Sequence, residues 1–356
     1  MTDFLIIGGG IAGISAAARL SHLGRVTVLE AEAHLAHHAS GRSAALYEPF
    51  YGLKPLVGLS VASGDYFRGQ DKILSPRGLM ILARAHEADA LRAEAESFEL
   101  PAISVEEARA IVPVINDSIA HAAYGDHAWD IDTDLLIQNF AREARGNGAQ
   151  IVTNARVTAI ARTAGGWAVR TPAGEFEGRV LVNAAGAWVD QIATLAGVQP
   201  LGFTPYRRSM ARIPAPAGHD VSGWPMLFGV GELWYAKPDA GALIVSPAEE
   251  HPMEPHDAWA DDMVLAEGLA RYEEFVTEPV TRLISNWAGL RTFAPDRALV
   301  IGPDTREPSF FWLAGQGGYG FQTSPAASLL AADLIGGRSP ELEAELVASL
   351  SPARFG

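Results

Sequence analysis

The chain has 356 residues, enough for about two domains of ordinary size, and its 48% hydrophobic and 19% charged residues are those of a folded globular protein rather than a disordered chain or a membrane bundle. Its 27 Lys and Arg against 42 Asp and Glu leave a net charge of −15, a field that repels nucleic-acid backbones and anionic lipid surfaces. The absence of cysteine excludes disulfides, thiol nucleophiles, CxxC redox pairs, cysteine-based zinc sites and cysteinyl cofactor linkage.

Met1 to Leu20 is apolar but does not read as a secretion signal: it has no basic start, Asp3 stands where Lys or Arg would be, and glycines interrupt the run. No other stretch offers the ~18 uninterrupted apolar residues of a membrane span. A cytoplasmic protein is expected, touching the inner membrane at most peripherally. Phe4 to Ile7 reads as a buried parallel strand running into Gly8-Gly9-Gly10-Ile11-Ala12-Gly13. A helix from Ile11 to Leu23, closed by a left-handed Gly24, then leads to a second strand, Val26 to Leu29, with Glu30 at its end. Strand, glycines, helix, strand and acid in this order are the signature of dinucleotide binding. Gly8, Gly10 and Gly13 allow a tight turn, close approach of backbone to a pyrophosphate, and close helix packing, with the anion on the helix N-terminus. Glu30 suits ribose hydroxyls, and an acid there points to an unphosphorylated ribose. FAD and NAD both fit so far.

Further along, His34, His37 and His38 have no nearby carboxylate arranged to complete a metal site, so no metal is expected. Tyr51 lies in the glycine-flanked stretch Pro49-Phe50-Tyr51-Gly52, suited to a mobile gate. Asp132, Thr133 and Asp134 precede a helix from Leu135 to Arg145 and read as its cap. Val152 to Ile160 and Trp167 to Arg170 read as strands around Gly165-Gly166, and Val180 to Asn183 as a buried strand ending in the small-residue run Ala184 to Trp188. Between about Leu46 and Ala128, and again between Leu201 and Leu290, the alternation of strands and helices is lost. Runs such as Tyr206 to Ile213, Leu233 to Lys237 and Ala242 to Ser246 suit a separate mixed sheet there. His251 and His256, among Glu249, Glu250, Glu254 and Asp257, read as a solvated acidic loop. Arg291 follows an apolar strand ending Trp287-Ala288-Gly289-Leu290, where a guanidinium can grip a carboxylate through two parallel hydrogen bonds. Phe310 to Ala314 is an apolar strand before a second glycine motif, Gly315 to Gly320, and a helix from about Thr323 to Ile335. Too little chain remains for a second nucleotide unit. The motif instead suits backbone N–H groups aimed at an electron-rich ring edge, such as a reduced flavin's, which favours FAD. No GxSxG, Walker or HExxH motif is present.

These residues resemble the FAD-dependent D-amino-acid oxidase and glycine oxidase superfamily, most closely bacterial flavin-dependent D-arginine dehydrogenases. The likeness runs through nearly the whole chain: Gly8 to Gly13 with Glu30, Ser40 to Ala45, Leu74 to Arg77, Asp130 to Asp134, Val182 to Trp188, Arg207 to Ser209, Lys237 to Gly241, Trp287 to Arg291, and Gln316 to Gly320 with Gln322 and Thr323. It implies an α/β fold with a Rossmann-like FAD-binding domain (1–45, 129–200 and 291–356) interleaved with an α+β, mixed-sheet substrate domain (46–128 and 201–290). It implies noncovalent FAD held by Gly8, Gly10, Ile11, Ala12, Gly13, Glu30, Arg42, Ser43, Ala44, Ala45, Val157, Ala185, Gly186, Trp188, Gly302, Gly317, Gly318, Tyr319, Gly320, Gln322 and Thr323. It gives Arg291 and Arg208 to the substrate carboxylate, the Tyr51 and Tyr235 hydroxyls to closure around the substrate, and the Gly318 carbonyl to its amino group.

The expected reaction is oxidative deamination of a D-amino acid, by hydride transfer from Cα to flavin N5, giving an imino acid and then a 2-oxo acid. No side chain stands out as a base or nucleophile. Partners would be the small substrate and an electron acceptor such as oxygen or a quinone, with the protein a monomer or small homo-oligomer. Two departures bear on substrate. Where D-arginine dehydrogenases place a glutamate and a histidine, this chain has Leu79, after Gly78, and Leu46; with Met226 and Phe228 they suggest a pocket for an apolar side chain. Glu48, where the pattern has threonine, reads either as a relocated anion for a basic substrate or as a solvent-facing loop acid. N-methylated or cyclic amino acids, 2-hydroxy acids, and a non-catalytic flavin-binding assembly role stay open beside the main reading.

Overall fold

A computed structural model describes residues 1–356. Thr2–Ile7 pairs in parallel with Val26–Leu29 on one side and with the long strand Gly174–Asn183 on the other. Gln150–Val152 extends the sheet beyond Val26–Leu29, and Phe310–Ala314 and Val300–Pro303 join beside the end of Gly174–Asn183. Strands covered on both faces need continuous apolar runs, and Phe4, Leu5, Ile6 and Ile7 are all buried. Gly174–Asn183 serves three partners: its first half closes an antiparallel meander through Gly166–Thr171 and on to Ala159–Thr163, and its second half lies between Thr2–Ile7 and Phe310–Ala314. The helix Ile11–Leu20 lies close on this sheet because Ala16, Ala17 and Ala18 present almost no bulk. Thr133–Gly146 and Gly320–Gly336 pack beside it.

The second sheet has nine strands, and Thr204–Pro214 is central to the site because it pairs over nine residues with Ser285–Phe293. The remaining strands run outward through Ala242–Ser246, Tyr235–Asp239, Met226–Gly229, Leu79–Arg84 and Ile119–Gly125, all antiparallel except Met226–Gly229 against Leu79–Arg84. A small sheet of Leu46–Tyr47, Trp129–Ile131 and Leu74–Pro76 sits between the two. Asp130 ties it down, 2.6 Å from Arg77 and 2.8 Å from Lys237, whose ammonium also donates to the Ala44 carbonyl. Lys54–Arg68 packs on Gly320–Gly336 in the core of the first sheet, through Leu56, Leu59 and Phe67, although it lies in the 46–128 stretch. No helix is long and apolar enough to cross a membrane.

Several local expectations change. The first helix ends at Leu20, and Gly24 is not left-handed; it sits where a Cβ would come 2.8 Å from the Asp3 carboxylate. Val152 to Ile160 is not one strand: Gln150–Val152 ends early and Ala159–Thr163 begins late, with Asn154 between them at a positive φ of +54°. Leu233 and Trp234 precede the strand Tyr235–Asp239, and the helix after the second glycine motif begins at Gly320, three residues earlier than its polarity pattern suggests. Arg291 does not follow its strand; it lies inside Ser285–Phe293, opposite Tyr206. Asp132 caps its helix as its residue type requires, accepting from the Leu135 N–H at 2.8 Å.

Candidate functional site

Three cavities line up where the two sheets meet. The largest, about 320 Å³, is walled by Gly8, Gly9 and Gly10, by Glu30 and Glu32, and by Ala184 to Trp188, with Val157 and Ala258 at its edges. Gly8 has a φ of +109°, and a Cβ there would overlap the Ala184 carbonyl, so only glycine can carry this turn. Gly13 lies outside the cavity for a related reason: its missing side chain lets the helix sit on the Gly8 carbonyl. Glu30 is buried and holds the turn itself, accepting from the Gly9 N–H at 2.6 Å and the Glu32 N–H at 2.8 Å. The helix from Ile11 has no side-chain cap at Gly10 and no acid in its first turn, so its positive end is left for an anion; Ser40 meets the Ile11 N–H alone.

A second cavity of about 120 Å³ continues from Gly10 and Arg42 past Ile11, Ala12 and Ser43 to Gly317, Gly318 and Gly320. Gly317 has a φ of +51°, and a Cβ there would run into the Phe293 ring. Gly318 approaches the Arg291 guanidinium so closely that a Cβ would lie 3.0 Å from Nη1. Arg208 and Arg291, from paired strands, both reach this cavity. Arg208 is almost fully buried; its Nη2 donates to Glu250 at 3.3 Å, while Nε and Nη1 have no partner.

The third cavity, about 50 Å³, opens beyond Gly318 and is lined by Leu46, Glu48, Tyr51, Phe98, Met226, Phe228, Glu232, Tyr235, Arg291 and Gln322, with Ala44 and Ala45 along one side. Arg291 forms no ion pair; its one side-chain partner is the Tyr235 hydroxyl, 3.5 Å away. Burial favours its neutral form, yet the oxygens of Tyr235, Tyr51 and Glu232 around it hold its pKa above the ordinary arginine value. The Tyr51 hydroxyl donates to Glu232 at 3.0 Å, and burial first, then the Glu232 charge, pushes its pKa well above the usual tyrosine range. The Tyr51 ring stacks on Phe98 and tilts against Tyr319, making an aromatic cover for the cavity.

Most of the sequence-derived residues converge here, but some do not. Leu79 does not line the cavity. It is fully buried in the sheet, because Gly78 at φ +74° turns the chain so that Leu79 pairs with Met226 and packs into the core. Gly302 is also away from the site; its bare Cα makes room for the Pro352 ring. Tyr319 and Thr323 support the site from behind, Thr323 donating to the Tyr319 carbonyl at 2.8 Å. Arg42 edges both larger cavities, but its guanidinium is occupied by the Ala258 and Ala288 carbonyls and the Asp257 carboxylate. Glu48 is not a solvent-facing acid: it is buried beside His127, as sequence distance alone conceals. His37 and His38 do have carboxylates nearby, since the fold brings in Glu32 and Asp257. Glu249 is buried rather than solvated, accepting from the Ser209 N–H at 2.8 Å.

Glu232, Phe98 and His127 are the residues that sequence reasoning missed. Glu232 carries a faint signal, an acid after a glycine three residues before Tyr235; its backbone takes a positive φ of +52° to turn the carboxylate inward.

The family model described as FAD dependent oxidoreductase, DAO, matches residues 3–334. FAD-dependent oxidoreductase domain-containing protein 1 of Bos taurus is 24% identical over 401 residues, covering 94% of this chain and 81% of that protein. Among solved structures, glycine oxidase from Geobacillus kaustophilus superposes with a TM-score of 0.84 at 23% identity, covering 98% of both chains. L-proline dehydrogenase from P. horikoshii gives 0.82 at 21% identity, covering 99% of this chain and 97% of that one. The cavities fit FAD on their own evidence: an uncapped helix end for a pyrophosphate, an acid at the end of the second strand, a glycine cradle that any Cβ would fill, and backbone at Gly317 and Gly318 where a ring edge would lie.

Proposed function

Because the chain belongs to the DAO family of FAD-dependent oxidoreductases, we propose that it oxidises the Cα–N bond of a small α-amino acid, a D-amino acid with a compact neutral or apolar side chain, to an imino acid that water converts to the 2-oxo acid. The observation that carries this reading is Arg291: a guanidinium without an ion-pair partner, facing a cavity that two tyrosines also line. A buried cation left unpaired is costly unless a ligand anion completes it, and a carboxylate matches its planar fork. FAD, when bound, supplies the two-electron acceptor, taking hydride from Cα at its N5.

The chain's own residues then orient the substrate. Arg291 takes the carboxylate, with Arg208 as a second positive charge; the Gly318 carbonyl accepts from the amino group; Tyr51 and Tyr235 close over the top. Such positioning is the main contribution a protein makes when the cofactor does the chemistry. The side chain is left to face Leu46, Met226 and Phe228, and a cavity of about 50 Å³ has room for few carbon atoms. The D configuration rests on the resemblance to D-arginine dehydrogenases, whereas preference for small neutral side chains rests on Leu46, Met226, Phe228 and the cavity's size. Anaerobic mixing with D- and L-amino acids, N-methyl and cyclic amino acids and 2-hydroxy acids, following loss of oxidised-flavin absorbance, tests it. Bleaching by small D-amino acids is expected; bleaching only by hydroxy acids, or by nothing, overturns it.

A further inference from the structure

An amino acid reaches the cavity as an ammonium carboxylate, and hydride can leave Cα only once the nitrogen has a free electron pair, so one proton must first depart. Few groups in the cavity can receive it. Arg291 stays charged, the Tyr235 hydroxyl points to the Met210 sulfur at 3.4 Å, and Tyr51 donates its proton to Glu232, whose carboxylate is held by that bond and has no imidazole beside it. Glu48 differs from all of these. Its side chain is 3% exposed, its Oε1 accepts from the Phe50 N–H, and its Oε2 has no hydrogen-bond partner. Gln322 fixes the same residue's backbone N–H at 3.1 Å. His127 Nε2 stands 3.3 Å from Oε2, without a well-directed hydrogen bond between them, and the His127 side chain is 28% exposed. The Phe50 ring lies edge-on against the imidazole at 5.5 Å. A carboxylate on the cavity wall is therefore linked by one imidazole to the outside.

Resting on the amino-acid reading above, we propose that Glu48 accepts the proton released by the substrate ammonium and passes it through His127 to solvent. The N–H bond breaks with its electron pair staying on nitrogen, an O–H bond forms at Glu48 Oε2, and the proton moves on to His127 Nε2. That second transfer restores the Glu48 carboxylate and leaves His127 as an imidazolium, which gives up a proton to water and returns to the neutral ring; nothing is oxidised or reduced in this step. Contact with Glu48, against burial, raises the His127 pKa, and the Phe98 carbonyl and Asp126 add to the same direction. The other charged or titratable groups facing the pair are Tyr47, next in the chain, and Tyr51, Glu232, Tyr235 and Arg291 across the cavity.

The test is the rate of anaerobic flavin reduction by a small D-amino acid between pH 6 and pH 10, in holoenzyme whose flavin content and visible spectrum match wild type. Glu48→Gln is expected to be about 100-fold slower at pH 7, a typical worth for a positioned base, and to approach wild type by pH 10, where more substrate arrives as neutral amine. A loss that stays constant across pH, as a structural role would give, or a change under about twofold at pH 7, overturns the relay. If Glu48→Gln fails to retain FAD, His127→Asn decides: about tenfold slower at pH 7 and recovered by added imidazole, or, if its rate is unaltered, the relay is wrong. Wild-type enzyme bleached by an amino acid while both variants track its profile removes the relay alone. Wild-type enzyme bleached by no amino acid removes the amino-acid reading, and the relay with it.

Discussion

Replacing Arg291 with methionine keeps an unbranched stem and removes the guanidinium, whose sole side-chain partner is the Tyr235 hydroxyl at 3.5 Å. Because Arg291 reaches only the two smaller cavities while Gly8, Gly9, Gly10 and Glu30 line the largest of the three, the variant should keep its FAD and lose kcat/KM. Truncating one partner of a buried charge pair costs about 2 to 5 kcal/mol, or roughly 30-fold to several-thousand-fold in kcat/KM. Flavin absorbance per protein and steady-state kinetics measure the two outcomes; near-normal kinetics would make Arg291 a structural residue. Leu79 illustrates the opposite case. The sequence suggests it as a pocket residue, so that Leu79→Glu would switch specificity toward D-arginine, but Leu79 is fully buried between Met226 and Gly125. Leu79→Glu should instead place a carboxylate in a core without a partner and lower stability by several kcal/mol, seen as a large fall in Tm with no gain toward D-arginine.

The strand-turn-helix unit from Thr2 to Leu20 makes its anion site out of backbone, and that is why it tolerates so little. At Gly8 the φ of +109° and the nearby Ala184 carbonyl both exclude a Cβ. Gly8→Ala should therefore push the turn out of register with the cavity and weaken FAD retention at least about tenfold, a cost on the scale of one strained backbone residue. Equilibrium dialysis of flavin against the folded variant measures it, and wild-type retention would show that the turn can relax. The helix Thr133–Gly146 obeys ordinary capping rules far from the chemistry: Asp132→Ala should cost about 1 kcal/mol in unfolding free energy and leave kinetics unchanged.

At the scale of the molecule, the cofactor cavities are bounded by residues from the start of the chain, from Ala184 to Trp188, from Ala258 and Leu290, and from Gly317 to Gly320. A ligand seated there bridges the two sheets, and anything that binds only the folded state stabilises it. Free FAD at 100 times its Kd should add about 2.7 kcal/mol to the unfolding free energy, read as a Tm that climbs with flavin concentration. A Tm indifferent to flavin would mean that FAD binds the unfolded chain equally or that the cavities are not its site. Since cysteine is absent and the residues expected to hold the flavin, Glu30, Gly8 and Gly317 among them, offer only shape and hydrogen bonds, acid precipitation should leave the flavin in the supernatant.

The sequence by itself determined the parts whose physics is local. Gly8 to Gly13 between two apolar strands, with Glu30 at the end, specifies its turn because only glycine fits there, and Phe310 to Ala314 specifies a buried strand because nothing in it can face water. Asp132 could be read as a cap three residues from the N–H it serves. The substrate cavity is different, because its walls come from segments far apart in the chain, and which side chains meet is set by strand register. Moving by one residue along a strand reverses the face a side chain presents. Leu79 shares its sheet face with its partner Met226, yet it is enclosed by core side chains, while Met226 and Phe228 also reach the cavity; that enclosure is a tertiary fact. Likewise Glu48 and His127, separated in the chain by three strands of the substrate sheet, carry no mutual signal in the sequence, yet lie 3.3 Å apart once that sheet has folded.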